Sequence, residues 1–559
     1  MPENKKRLLF VNESSNLFTG YSLYGRELLS RLHSTGKYHI AELACYNKFD
    51  NPAIQQFPWT IYSNFPTNEA EEKEYGSNPI NQFGAWRFEE VVLDWKPDIV
   101  CDIRDAWMTF EPESHLRKYF NLLLMPTVDS APQQSSWIDM YMGCDGILCY
   151  SQFCEDTLRK QSENKINFQG LASPCVNNKV FFPINNKIEL RKKYNLPSDV
   201  IIVGTVMRNQ KRKLFPDLIQ AFKLFLDQNP NIRHKCFLYL HTSYPDMGWN
   251  IPRLIKESGI ANNILLTYIC SECKHVHVNF FRDSKTLCPK CKKLSAGFPS
   301  TQNGVSENVL CEIYNLMDVY VQYAICEACG ISQLEAGACS VPIMSVDYSA
   351  MSDIVKNLNG YPIKVERFFR EAETGTLRAY PDNKDLADKL TKFCNLPPSL
   401  RAKKGREALI GVQKHYLWDY TVNSWMKYFD KTQHKNLWNI PPQIFNPVTE
   451  PPQNLPPSKL VEWAIINILG QPEKLNSYFA LRLIRDLNYG ASQIVHGGNY
   501  INEDSMLGSQ PRYRPFSPKD LFNHLYDMRQ KINYWEKRRC GLIQEEVKPI
   551  IRFAKREEF

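Results

Sequence analysis

Short apolar runs alternate with amphipathic stretches through most of the chain. Arg7-Leu8-Leu9-Phe10-Val11 predicts a buried strand, followed by a loop with Gly20 and a helix near Gly25–Leu32. His39–Cys45, Asp98–Cys101, Leu122–Thr127 and Gly146–Cys149 predict further strands with helical patterns between them. This alternation predicts a doubly wound parallel sheet. Near residue 180 the pattern restarts. Val200–Val206, Cys236–His241, Ile264–Tyr268, Val319–Tyr323 and Pro342–Ser345 predict a second sheet, with an amphipathic helix over Asp217–Leu226. Two such α/β units make a cleft, and ligands of these sheets sit beyond the carboxyl ends of the strands. After Asp430 the pattern changes. Seven prolines within 17 residues, Pro441 to Pro457, predict a semi-rigid linker before a helical C-terminal region with a loop around Gly497–Pro518. The expected units are residues 1–180, 181–430, a linker over 431–458 and a helical region over 459–559.

Composition narrows the class. Of 559 residues, 43% are hydrophobic and 12% aromatic, enough for large cores and unlike a disordered chain. No apolar run is long enough for a transmembrane segment. The start, MPENKKRLLFVN, lacks the apolar stretch of an export signal, so a cytoplasmic location is expected. The net charge of +8 permits an anionic partner without requiring one. Of the 17 cysteines, most stand alone in apolar surroundings, as reduced core thiols do.

Four cysteines are different. Cys270-x2-Cys273 and Cys288-x2-Cys291 have the paired spacing of a zinc ribbon. Four thiolates close a tetrahedral shell and leave no open position, so one structural zinc is expected, folding an insertion over residues 268–296. His275 and His277, between the pairs, are expected to be exposed loop residues. Lys274, Arg282, Lys285, Lys290, Lys292 and Lys293 surround the ligands, which suggests a basic recognition surface.

The stretch YAICEACGISQLEAGACSVPIMSVD, residues 323–347, carries the densest chemistry. Glu327 follows an apolar strand, Gly330 permits a tight turn, and Ser332 is placed to cap a helix bearing Glu335. Both carboxylates then face the cleft, and the amides near Gly330 and Ile331 form an anion site at a helix N-terminus.

Glu327-x7-Glu335, with Gly330, Ala336 and Val341-Pro342, resembles the signature of retaining GT-B glycosyltransferases, the class related to glycogen and sucrose synthases. Gly204-x3-Arg208-x4-Lys213 resembles that family's Arg/Lys pair, Asp318-Val319-Tyr320-Val321 its strand before the carboxylates, and Asp145–Ser151 and Ser173–Pro183 the end of its first domain and the crossover. Gly20 corresponds to one glycine of the N-terminal loop, with Thr19 or Tyr21 where a second would stand. The resemblance covers roughly residues 7–430 apart from the ribbon. It implies two Rossmann-like domains, a helix near Trp418–Phe429 packing back on the first domain, and a nucleotide-sugar donor such as UDP-glucose. Without a catalytic metal, Arg208 and Lys213 would stabilise the departing diphosphate. Glu335 would hold the ribose hydroxyls and Glu327 would lie near the donor sugar, with Asp129 where the family often has histidine.

The acceptor is open at this level. A hydroxymethylated pyrimidine in double-stranded DNA is motivated by the lysine-rich ribbon and the basic groups Arg512-Tyr513-Arg514 and Lys537-Arg538-Arg539. A cell-surface glycan or lipid-linked sugar is the alternative, and a non-catalytic binding protein on the same fold is a third. Asp102-Ile103-Arg104-Asp105-Ala106-Trp107 and Trp137 are the expected acceptor-side residues.

Overall fold

The computed structural model describes residues 5–17, 19–48, 51–300, 303–372, 374–448, 450, 452, 454–475, 477–495, 517–543 and 552–553. Most of the predicted Gly497–Pro518 loop, including Arg512, Tyr513 and Arg514, lies outside the described residues.

The first sheet has β1 (Arg7–Glu13), β2 (His39–Cys45), β3 (Thr60–Ser63), β4 (Ile99–Asp102), β5 (Asn121–Leu124), β6 (Gly146–Cys149) and β7 (Phe168–Leu171) in the parallel order 3-2-1-4-5-6-7. Central β1 is buried over its last six residues because helices cover both faces of such a sheet. The second sheet contains β8 (Ile201–Val206), β9 (Cys236–His241), β10 (Ile264–Cys270), β11 (Val276–Phe280), β12 (Lys285–Leu287), β13 (Leu294–Gly297), β14 (Val319–Gln322), β15 (Ile343–Val346) and β16 (Tyr361–Ile363). Its parallel part, β10-β9-β8-β14-β15-β16, repeats the order of the first. In each sheet the order reverses beside the first strand, so β1/β4 and β8/β14 are the switch points where crevices open.

The helices follow from the pattern. Phe215–Gln228 buries Leu218, Ile219, Phe222, Phe225 and Leu226 as one apolar face, with Pro216 in its first turn. Gly20–Ser34 is capped by Thr19, whose hydroxyl accepts from the Ser22 amide.

Three features depart from expectation. The cysteine-rich segment is continuous with the second sheet: β11 and β13 both pair antiparallel with β10, and β12 pairs with β13. His277 lies buried on β11 against Tyr268, with ring centroids 5.5 Å apart, because the strand turns it onto the sheet. The proline-rich stretch is a strap rather than a free linker. Trp438 stacks on Tyr119 at 4.8 Å, His434 meets Asp98 at 2.7 Å, and Lys118 donates to Gln443 at 2.8 Å. Prolines exclude helix here, but His434, Lys435 and Trp438 just before them and Gln443 among them supply docking groups.

Beyond the strap, helices Pro457–Ala464, Tyr478–Val495 and Pro518–Arg539 share a core of Leu460, Ile468, Leu483, Leu521, Leu525 and Ile532. This region is tied to the first domain by Arg482–Glu113 and Arg485–Asp139 pairs, and β19 (Arg552–Phe553) pairs antiparallel with edge strand β3. The Trp418–Lys431 helix also packs on the first domain: Trp425 donates to the Tyr24 hydroxyl, and Phe429 meets Phe10 and Tyr38. No helix among the described residues is long and apolar enough to cross a membrane.

Candidate active site

The carboxyl ends of β1, β4, β5, β8 and β14 meet at one place. After β8, the chain at Arg212–Leu214 pairs antiparallel with Tyr323–Ile325: Leu214 N–H donates to Tyr323 O, and Ile325 N–H to Arg212 O, both at 3.0 Å. This short pairing sets the basic loop beside Glu327. Arg212 Nη1 donates to Glu327 Oε2 at 2.6 Å, Lys213 Nζ contacts Oε1, and Gln322 Nε2 donates to Oε1 at 2.7 Å. Burial, with Arg212 alongside, pulls the Lys213 ammonium well below its ordinary value, with Cys326 and Asp129 opposing.

Arg208 stands apart. Its guanidinium is 47% exposed and forks onto Asp246 at 3.0 and 3.1 Å, while Arg212 takes the place beside Lys213. The sequence RNQKRK held both arginines. What separates them is that Arg212 is in the paired segment and Arg208 precedes it.

The Ile331–Ala338 helix starts after Gly330, which takes φ +86° and serves as N-cap. The positive φ favours glycine here, and a Cβ would also crowd Gln333 Nε2 at 2.7 Å, the end of a side chain that would have to shift. Ser332 therefore does not cap this helix; it lies inside the first turn. The first-turn amides, Ile331 included, have no carbonyl one turn earlier in the helix. Glu335, one turn on, is 9% exposed and accepts from the Tyr314 hydroxyl at 2.6 Å. Burial pushes its carboxyl up to about 7, the Tyr314 bond opposing.

The first domain supplies the facing wall. Asp129, after β5, accepts from Arg378 Nη1 at 2.7 Å and from the Cys326 thiol at 3.2 Å. Burial raises its carboxyl, but the Arg378 guanidinium outweighs it and holds the group below its ordinary value. Arg378 lies on the hairpin of β17 (Val365–Arg370) and β18 (Leu377–Pro381) and also binds Glu371 at 2.6 Å. Leu377 N–H donates to Ala131 O at 2.9 Å, so the hairpin reaches across the cleft. Gly20 opens the first helix where a Cβ would meet nothing within 4 Å. Tyr21 bonds Thr127 at 2.8 Å, and Glu13 takes a hydrogen bond from Thr19. Burial pushes Asp105 up to about 6, with Asp129 and Glu13 adding to it and Tyr21 and Arg212 opposing.

Asp102, Arg104 and Trp137 of the expected acceptor set make structural contacts, while Trp107 is half-exposed. Arg104 is buried, forking onto Asp102 at 2.6 and 2.9 Å and reaching Glu111 at 2.9 Å. Trp137 packs on the first-domain core, and Trp107 is edge-on to Phe83 at 5.1 Å. The basic groups near the C-terminus are largely used internally: Arg539 donates to Trp438 O, Ile440 O and Glu536, and Arg538 lies 3.6 Å from Glu90.

The four ribbon cysteines converge. Cys270 and Cys291 sulfurs are 3.6 Å apart, as are Cys273 and Cys288, and all four lie within 4.8 Å of one another. Tetrahedral zinc with Zn–S bonds of about 2.3 Å places sulfurs about 3.8 Å apart, so the set fits that ion. Each pair ends in a turn with a lysine at positive φ, Lys274 at +56° and Lys292 at +63°.

Twin doubly wound sheets facing across such a cleft define the GT-B class of sugar-nucleotide folds. The chain is similar to sucrose-phosphate synthase from Thermosynechococcus elongatus (16% identity, 76% of this chain and 99% of that one, TM-score 0.54). It is also similar to a glycosyltransferase from Rickettsia africae (16% identity, 78% and 100%, TM-score 0.53) and to Anabaena HepE in complex with UDP-glucose (11% identity, 76% and 99%, TM-score 0.51). Residues 301–409, which carry Glu327, Gly330 and Glu335, match the family model described as glycosyl transferases group 1. No curated protein sequence matches the chain.

Proposed function

We propose that this protein is a retaining glycosyltransferase that moves a sugar from a nucleotide sugar, UDP-glucose being the first donor to test, to a hydroxyl acceptor. The observation that carries this reading is the Arg212–Lys213–Glu327 cluster beside the Ile331–Ala338 helix, within the group 1 segment and opposite Asp105 and Asp129. The donor diphosphate binds the helix amides and the two cations, and the ribose hydroxyls donate to Glu335. In the transfer, the anomeric C–O bond to phosphate breaks with its electron pair leaving on the diphosphate. The acceptor oxygen bonds to the anomeric carbon on the same face, and its proton passes to the departing phosphate oxygen. Lys213, Arg212 and the helix amides stabilise the charge that develops. Arg208 is placed to join them only if it leaves Asp246.

A glycan or other small hydroxyl acceptor suits the bridged cleft. Among the described residues, the DNA reading loses Arg539 to the strap and Arg538 to Glu90 of the first domain, and keeps the ribbon lysines and Lys537. The cysteine set is assigned to one structural zinc, remote in role from the transfer.

The test is release of UDP from UDP-glucose, and from a panel of other nucleotide sugars, with water as the only acceptor. Slow release is expected, and Lys213→Met should lower it by about 10²–10³-fold. Release unchanged in the variant would remove Lys213 from the site, and no release from any donor would return the fold to a binding role.

A further inference from the structure

A second polar cavity, of about 150 Å³, lies between the C-terminal region and the first domain. Arg117, Lys118, Lys435 and Lys474 line it, against a single carboxylate, Glu473, with Met528 and Ile532 as its apolar floor. Lys118 and Arg117 belong to the turn before β5, Lys435 to the strap, and Lys474 to the C-terminal region. Anchoring contacts from Asp98 and Phe120 place this seam at the amino ends of β4 and β5, the end of the sheet opposite the cleft.

Three of the cations are held in place. Arg117 bonds Asp145 at 2.7 Å and Phe120 O at 2.9 Å, Lys118 pairs with Glu536 at 2.6 Å, and Lys435 donates to Phe120 O at 2.8 Å. The fourth has no such anchor. Among the described residues Lys474 Nζ has no hydrogen bond or ion pair, only the Phe479 ring at 4.8 Å. Burial, with Arg117 nearby, holds it down to about 8. Gln471, 9% exposed, also lines the cavity, and its Oε1 has no partner. A side-chain amide that turns over presents N–H in place of oxygen. Concentrated positive charge, an unanchored ammonium and an orphan amide in a half-open seam are what a multiply charged anion satisfies, since each oxygen of such an ion accepts from a different direction.

We propose that this seam binds a phosphate dianion, free or as the terminal group of a small phosphate ester, which ties the C-terminal region to the first domain away from the transfer cleft.

Equilibrium dialysis of the full chain against labelled inorganic phosphate at constant ionic strength tests it. One saturable phosphate per chain is expected, bound at least about tenfold more weakly by Lys474→Met and by Lys435→Met. Phosphate should also raise the melting temperature of the wild-type protein above that in matched chloride, a measurement that needs no variant. Glycerol 3-phosphate binding more tightly than inorganic phosphate identifies an ester as the occupant; the reverse order identifies the free ion. Absence of saturable binding overturns the proposal. So does binding that Lys213→Met abolishes while both seam variants keep it, because the ion is then in the cleft.

Discussion

Among the described residues, Glu335 meets a protein hydrogen-bond partner at only one carboxylate oxygen, and that bond comes from Tyr314. Its folded value of about 7 exceeds the ordinary 4.5, so the donor-free fold holds the proton more tightly than the unfolded chain does. Its contribution to stability is therefore present below 4.5 and is lost as pH rises through about 7. Donor binding runs the other way, because ribose hydroxyls donate to the ionised form. Donor affinity, measured by calorimetry, should rise about tenfold from pH 6 to pH 8. Glu335→Gln should flatten that profile and weaken binding by about ten- to a hundredfold with the melting curve retained. A wild-type profile in the variant would remove Glu335 from the ribose. At this scale the carboxylates were legible, because an acidic residue in an apolar segment needs a reason. Arg212 was not: choosing it over Arg208 required the pairing of residues 212–214 with 323–325, a contact across more than 100 residues. Arg104 misled for the matching reason, since one buried ion cluster reads in sequence like an exposed polar loop.

Among elements, the long apolar strands of both sheets were visible, with ends displaced by at most three residues. Those that escaped are short or atypical. β3 has four residues, β16 has three, and the β17–β18 hairpin mixes charged and aromatic residues without a period of two on a half-exposed ribbon. The ribbon was legible from spacing, but its continuity with β10 was not, because pairing register is set by the sheet and not by the cysteines. If zinc holds this element, native mass spectrometry should find one zinc per chain. Cys273→Ser should then lower the melting temperature and leave donor release within about threefold of wild type, since the four-sulfur shell has no catalytic opening. A metal-free native protein of full stability would contradict the assignment.

In the whole molecule, the two halves are joined by the crossover, by the returning helix and by the hairpin clasp. The clasp is electrostatic where it meets the site: Arg378 binds Asp129 of one half and Glu371 of the other. Arg378→Met should leave the halves folded, reduce transfer by about tenfold to a hundredfold, and widen the particle in small-angle scattering, because misplacing the facing wall is costly to the transition state. Unaltered scattering and turnover would make the clasp incidental. The two-sheet plan was readable from the restart of the pattern near residue 180. The docking of the strap was not, because prolines report only what a segment cannot form.

The returning helix has a consequence for how the chain is made. Phe10, Tyr24 and Tyr38 are synthesised early, yet the Trp425 and Phe429 side chains that cover them come about 390–420 residues later. At about 5–20 residues per second the ribosome leaves that aromatic face bare for roughly 20–80 s. The first sheet's aromatic face is closed only once this late helix has been made, and a chain released before residue 431 carries an open, sticky surface in place of a finished fold.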